Sequence, residues 1–227
     1  MGEVYAQANP TSELKWRYPL LDEAHRCFAG IISPEFPAAT LKRFQEKVTA
    51  GTKWGQPISN STGMPIPRKT AWMVAGRCRC QYRYGGLAVA PVAFPPWMIE
   101  LMEECMPFCG LKARESWPNC CNLNLYEDGG MSVGWHSDDE ELFQGKLRDC
   151  PIISLSLGQT RTFELRLWEA SSADCRLQLR SGDLLTMEGL TQKHYAHRVP
   201  KERALGPRIN LTWRWIRKHS AACPGGC

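Results

Sequence analysis

The residues best placed to do chemistry lie in "WHSDDE", positions 135–140, where a histidine runs into three consecutive acids. Asp138, Asp139 and Glu140 repel one another, so the stretch is either a solvated acidic turn or a place where a cation sits. His136 and Asp138 are separated by one residue. On an extended segment both side chains project to the same side and can reach one ion. A two-histidine, one-carboxylate facial triad needs a second His and leaves positions open for a co-substrate and dioxygen. The chain has five histidines: His25, His136, His194, His197 and His219. His25 and His219 fall in or near the terminal arms, which leaves His194 and His197, both on one strand-like run.

A second constellation lies further on. Arg208 and Arg214 are six residues apart, at even spacing on a strand-like run, and so face the same side. Arginine is the bidentate partner of carboxylates. A dicarboxylate such as 2-oxoglutarate gives one carboxylate and its keto group to a metal, and its far carboxylate needs a buried cation. Taken alone the arginine pair reads as a solvated strand face; together with the His-x-Asp and the distant His it reads as a co-substrate site.

These groups must be brought together by the elements between them. Residues 1–35 lack clear periodicity and read as an arm with short extended pieces. "SPEFPAATLKRFQEKV" (33–48) turns into a helix with Leu41, Phe44 and Val48 on one face, and "PPWMIELMEECM" (95–106) is a second helix with proline at its start. Residues 55–67 form a turn-rich loop. Residues 69–90 are strands joined by glycine-rich turns. Beyond 120 come seven short strand-like runs: 120–128, 151–158, 161–168, 175–180, 183–189, 194–200 and 208–216. Gly, Asp, Asn and Pro separate them, the pattern of an antiparallel sandwich or barrel. Trp135, Trp213 and Trp215 are expected to pack against its core.

With 43% hydrophobic and 22% charged residues, the 227-residue chain has the composition of a soluble globular protein with one substantial core. No apolar run approaches a membrane span. The N-terminal segment resembles neither a signal nor a transit peptide, and Ala6 breaks the myristoylation pattern, so an intracellular protein is expected. The net charge of +5 fits a nucleic-acid partner without requiring one. Its basic residues concentrate in 68–86 and 208–219. The eleven cysteines read as reduced thiols rather than disulfides. Cys78 and Cys80 are closer than the usual two-residue gap and no Cys-x-x-Cys pair occurs, so a zinc cluster is not expected.

The stretches "NLYEDGGMSVGWHSDDE" (124–140), "CPIISLSLGQTRTFELR" (150–166), "GDLLTMEGLTQKHYAHRVPKE" (182–202) and "PRINLTWR" (207–214) resemble the AlkB family of Fe(II)/2-oxoglutarate-dependent nucleic-acid dealkylases. The likeness covers roughly 67–216, is strongest over 120–214, and lies nearest the eukaryotic repair branch. It implies an α+β fold with a double-stranded β-helix, or jelly-roll, core, supporting N-terminal helices and a nucleotide-recognition lid. It implies a dioxygenase domain over 61–218 with the lid at 67–92, an arm and helix over 1–60 in the same domain, and a tail over 219–227. The metal ligands become His136, Asp138 and His197, because the distal His precedes "RVP". Asn124 and Tyr126, with Arg208, Asn210, Thr212 and Arg214, become the 2-oxoglutarate site. "PRKTAW" (67–72) places Trp72 near a flipped base, and Asp139 and Glu140 fall beside the base or support the site. Tyr82 and Tyr84, in the same basic segment, either stack on bases or pack the sheet.

The implied reaction is oxidative N-demethylation of bases such as 1-methyladenine and 3-methylcytosine in DNA or RNA. It uses Fe(II), 2-oxoglutarate and dioxygen, and releases succinate, carbon dioxide and formaldehyde. The implied protein is a monomer of the nucleus or cytoplasm with nucleic acid and no membrane as partner. A 2-oxoglutarate-dependent hydroxylase of protein or small molecules is the main alternative; it would need neither Trp72 nor the basic lid. A zinc hydrolase would leave the arginine pair and Asn-x-Tyr idle, and a decayed binding module would not keep every ligand.

Overall fold

The computed structural model describes residues 15–203, 206–221 and 223–224. The expected arm over residues 1–14 therefore lies outside the described residues. In chain order the strands are β1 (Arg17–Asp22), β2 (Cys27–Ile32), β3 (Lys69–Val74), β4 (Tyr82–Tyr84), β5 (Leu87–Val89), β6 (Val92–Ala93), β7 (Cys120–Tyr126), β8 (Val133–His136), β9 (Ile152–Gly158), β10 (Arg161–Leu167), β11 (Cys175–Leu179), β12 (Leu184–Gly189), β13 (Tyr195–Val199) and β14 (Arg208–Arg214). The helices are α1 (Ala38–Gly51), α2 (Pro96–Cys105) and the four-residue α3 (Thr191–His194).

Eight strands form the major sheet, in the order β1-β2-β12-β9-β14-β7-β3-β6, and four form the minor sheet, β11-β10-β13-β8. All pairs are antiparallel except β3 with β6. The jelly-roll reading holds. One apolar cluster fills the space between the sheets, with Ile31, Trp72, Leu185 and Met187 on one side and Phe163, Leu165, Leu179 and Val199 on the other. A second lies between the major sheet and the two long helices, where Phe44, Val48, Leu101 and Met102 meet Leu123, Leu155 and Leu211.

This two-sided burial explains the composition of the central strands. On β14, Ile209, Leu211 and Trp213 face the helices, while Arg208, Asn210, Thr212 and Arg214 alternate onto the opposite face. On β7, Cys121, Leu123 and Leu125 face the helices and Asn122, Asn124 and Tyr126 do not. Registers Arg208↔Tyr126, Asn210↔Asn124 and Thr212↔Asn122 put the polar sets side by side. All seven residues of β14 are buried, so its polar face lies inside the protein.

One expectation fails in the N-terminal part. Residues 17–32 are not an arm: β1 and β2 pair with each other, and β2 continues the major sheet against β12. The strand β2 is buried on both faces, and a doubly buried strand carries no alternation to read. In the basic segment, β3 is an interior strand of the major sheet, and only residues 77–89, which end in the separate hairpin β4–β5, stand apart as a flap. Gly85 and Gly86, at φ 52° and 78°, make its two-residue turn. Positive φ at both central positions is what a tight hairpin of matching twist requires.

Candidate active site

His136 and His197 are direct cross-strand partners, one at the end of β8 and the other on β13. Antiparallel pairing thus brings together two residues 61 positions apart, with ring centroids 4.2 Å from each other. Asp138 lies just past the end of β8. Its Oδ1 is 3.9 Å from His136 Nε2 and its Oδ2 is 3.9 Å from His197 Nε2. The three ligand atoms fall within 4.8 Å of one another, a spacing one ion can span. His136 Nδ1 meets the Gly134 carbonyl at 2.8 Å, which assigns the proton to Nδ1 and leaves the Nε2 lone pair for a metal. His194 belongs to α3 and packs against His25, so His197 is the histidine of this cluster.

The electrostatics prepare these groups as ligands. Burial pushes His197 down to about 3, and the neighbouring His136 adds to the effect. Burial also lowers His136. Both rings are therefore neutral near pH 7, the form that binds metal. Burial would raise Asp138, but the Arg214 guanidinium and the two imidazoles outweigh it and hold the carboxyl well below the usual range. Arg214 donates to Asp138 Oδ2 through Nε at 3.1 Å and also through Nη2. The Asp138 amide donates to Gln192 Oε1 at 2.9 Å, so α3 fixes the backbone of the carboxylate. Two neutral imidazoles and one ionised carboxylate with an open side form the donor set suited to Fe(II).

Arg208 is buried (1% exposed), and its Nη2 donates to Ser156 Oγ at 2.9 Å. Its Nε and Nη1 have no hydrogen-bond partner. Burial lowers it to about 10. Arg161, equally buried, makes the contrast: it donates to Glu202 and to the carbonyls of Asp128, Met131 and Pro200. The ring of Tyr126 lies between the two guanidiniums, at 5.3 and 5.5 Å. Arg161 is satisfied within the fold, whereas Arg208 lacks an anion, as a carboxylate-binding arginine would. Asn210 and Thr212 occupy the same floor but are engaged with Ser154 and with each other. Asn124 accepts from Arg68, a pocket residue that the sequence reading did not single out.

A single cavity of about 830 Å³ takes in the triad, Asn124, Tyr126, Arg208, Asn210, Thr212, Arg214, Asp139, Glu140, Tyr82 and Tyr84. Trp72 is absent from its wall, and the expected base contact is corrected. Trp72 is 1% exposed, it lies beneath Tyr82 with ring centroids 4.8 Å apart, and its indole N–H donates to the Cys80 carbonyl. Tyr82, which lines the cavity, covers the Trp72 ring and separates it from the cavity. The flap reaches the cavity with Tyr82, Arg83, Tyr84 and Gly85, of which the two tyrosines supply the aromatic surface. The Tyr82 hydroxyl donates to Glu140 Oε1 at 2.7 Å. Burial, and then the Asp138 charge, push Glu140 up to about 8. Asp139 pairs with Lys146 at 2.5 Å. Trp135 does not enter the apolar core; it sits between the guanidiniums of Arg166 and Arg198 at 4.4 and 4.5 Å. Trp213 is fully buried as expected, and half-buried Trp215 packs against the same cluster.

Comparison with known proteins agrees with this geometry. Residues 25–214 match the family model described as the 2OG-Fe(II) oxygenase superfamily. The chain is 35% identical over 196 residues to the alpha-ketoglutarate-dependent dioxygenase alkB homolog 3 of Mus musculus, covering 79% of this chain and 63% of that protein. It is 34% identical over 160 residues to the DNA oxidative demethylase ALKBH2 of Bos taurus, covering 66% and 54%. The chain thus spans about three fifths of the length of these curated relatives. The solved structure of OsALKBH1 matches with a TM-score of 0.54 at 18% identity, over 88% of this chain and all of that one, a likeness of fold.

Proposed function

The chain belongs to the 2OG-Fe(II) oxygenase superfamily, and from that premise we propose that it removes methyl groups oxidatively from N-alkylated bases of nucleic acid. One observation carries the reading: a single cavity joins the His-Asp-His cluster, a buried guanidinium without an anion, and a flap bearing two tyrosines. His136, Asp138 and His197 hold Fe(II), and Arg208 takes the far carboxylate of 2-oxoglutarate. Arg214 orients Asp138 and faces the near end of the co-substrate. When bound, iron, 2-oxoglutarate and dioxygen together supply the oxidation of the methyl carbon, which leaves as formaldehyde while 2-oxoglutarate becomes succinate and carbon dioxide.

The protein's own part is placement. The methyl carbon must come up to the metal, so the base has to leave its stack. Tyr84, with Tyr82 behind it, offers an aromatic surface at the cavity mouth, and exposed Arg77, Arg79 and Arg83 on the flap offer charge to the phosphate backbone. A hydroxylase of proteins or small molecules would not use that arginine row. We place the enzyme in the nucleus or cytoplasm, acting as a monomer. The test is parallel measurement of succinate and formaldehyde from oligonucleotides carrying 1-methyladenine or 3-methylcytosine, as DNA and RNA, single- and double-stranded. Formaldehyde stoichiometric with succinate from at least one oligonucleotide is the expected result. Succinate without formaldehyde from all of them, together with turnover on a peptide or small molecule, would overturn the assignment.

A further inference from the structure

Outside the cavity the fold gathers a second set of ligands. Along the flap the side chains alternate: Arg77, Arg79, Gln81 and Arg83 are exposed, while Cys78, Cys80 and Tyr82 point inward. The segment after β14 returns to the same place and presents His219 and Cys223. Cys78 Sγ lies 3.7 Å from Cys223 Sγ, Cys80 Sγ 3.6 Å from His219 Nδ1, Cys78 Sγ 3.9 Å and Cys223 Sγ 3.2 Å from the same nitrogen. All four ligand atoms lie within 4.8 Å of one another. A tetrahedral zinc with sulfur at about 2.3 Å and nitrogen at about 2.0 Å has edges of roughly 3.5–3.8 Å. The Ser220 amide also donates to Cys80 Sγ at 3.3 Å, the kind of outer hydrogen bond that steadies a metal-bound thiolate.

We propose that Cys78, Cys80, His219 and Cys223 bind a structural zinc ion that clamps the tyrosine- and arginine-bearing flap to the C-terminal segment. Three thiols and one imidazole close a four-coordinate shell, so the ion keeps no open position and does no chemistry. Binding releases the thiol protons and replaces a loose set of contacts with four covalent-like bonds. The effect on the active site is short-range. Cys80 holds the Trp72 indole through its carbonyl, and Tyr82, two residues on, holds Glu140. Fixing Cys78 and Cys80 therefore fixes the depth at which Tyr82 and Tyr84 stand over the cavity. The existence of the site does not depend on the proposed reaction; the positioning role rests on it.

The two centres differ in donor atoms, which makes the test clean. Protein carrying Asp138→Ala, produced with zinc and dialysed against EDTA, should retain one zinc per chain by elemental analysis. Adding Cys80→Ser or His219→Ala should reduce it to background. Cobalt substituted into the wild-type protein should show sulfur-to-metal charge transfer and tetrahedral ligand-field bands. The His-Asp-His centre has no sulfur and cannot produce the former, so this readout needs no variant to fold. No retained zinc and no charge-transfer band would overturn the proposal, as would a Cys78–Cys223 disulfide in peptide maps of protein purified without oxidant. For the clamping role, Cys223→Ser should raise the KM for methylated oligonucleotide roughly tenfold or more by lowering the fraction of competent flap. Its 2-oxoglutarate consumption without oligonucleotide should stay at the wild-type rate. Zinc retained by the Asp138→Ala protein, together with an unchanged KM in zinc-free Cys223→Ser, would confirm the metal and remove the clamp. Absence of demethylation in every protein would count against the reaction alone.

Discussion

The His136–Asp138–His197 cluster and the Cys78–Cys80–His219–Cys223 cluster are two ways of assembling distant residues. The first is set by strands. Two of its ligands are register partners on β8 and β13, and the third is held by α3 and Arg214. The second is set by a flap and a chain end, neither belonging to either main sheet. The strand-set cluster needs no ion to keep its shape, because the backbone hydrogen bonds of the minor sheet do that, and it can leave one side open. The loop-set cluster has no such frame, so an ion there organises the chain around it. An open site on a sheet frame suits catalysis, and a closed site on segments outside the main sheets suits anchoring.

The largest effects test the strand-set half of this contrast. His197→Ala should abolish turnover with added Fe(II), yet leave the thermal transition near that of the wild type, because the strands keep the backbone in place. His194→Ala should retain most activity. Steady-state succinate release with a melting curve decides it, and an inactive His194→Ala beside an active His197→Ala would assign the wrong ligand. Asp138→Ala is the harsher change. It leaves the Arg214 charge buried and unpaired, and a loss of about 3–5 kcal/mol of stability is expected.

The next effect separates two buried arginines. Arg161→Met strips Glu202 and three carbonyls of their partner, and should lower stability by about 3–5 kcal/mol, read from denaturant unfolding. Arg208→Met removes a guanidinium whose nitrogens are mostly unused, and should leave stability unchanged or higher. It should raise the 2-oxoglutarate requirement instead, by about 1.5–3 kcal/mol for a charged hydrogen bond, or roughly tenfold to 150-fold. Equal destabilisation by both changes would erase the distinction.

The smallest effect belongs to the flap. Tyr84→Ala should cost about 1–3 kcal/mol in oligonucleotide affinity if the ring stacks on a base, with the slow 2-oxoglutarate decarboxylation unaffected. Trp72→Ala should instead lower the melting temperature and both reactions together, since it empties a core position. Selective loss of demethylation in Trp72→Ala would return that residue to the cavity.

What could be read in advance follows the same divide. His136 and Asp138 are two apart on a strand end, and Arg208 and Arg214 are six apart along one strand, so spacing alone placed each pair on one face, whereas Asn210 and Thr212 entered through the resemblance. The choice of His197 over His194 needed the resemblance; in the fold it follows from the pairing of β8 with β13. The strand β2 was missed because residues buried on both faces do not alternate. Trp72 was misplaced because neighbouring motif residues were taken as sharing one environment, whereas β3 enters the major sheet and the flap begins only after it. The cysteines were passed over for lacking a two-residue gap. The available signal was the alternation of 77–83, which turns Cys78 and Cys80 to the same side; their meeting with His219 and Cys223 depends on where the chain end returns, and no local pattern encodes that.

The polar face of β14 has a further consequence. A buried row that includes Arg208 with two idle nitrogens is an incomplete interior, and in the function proposed above 2-oxoglutarate is the piece that completes it. Its binding is then part of the folding equilibrium, since a ligand at a hundred times its dissociation constant adds about 2.7 kcal/mol to the native state. Metabolite supply would set the lifetime of the folded chain as well as its rate of turnover, and the protein would be most vulnerable to proteolysis when its co-substrate is scarce.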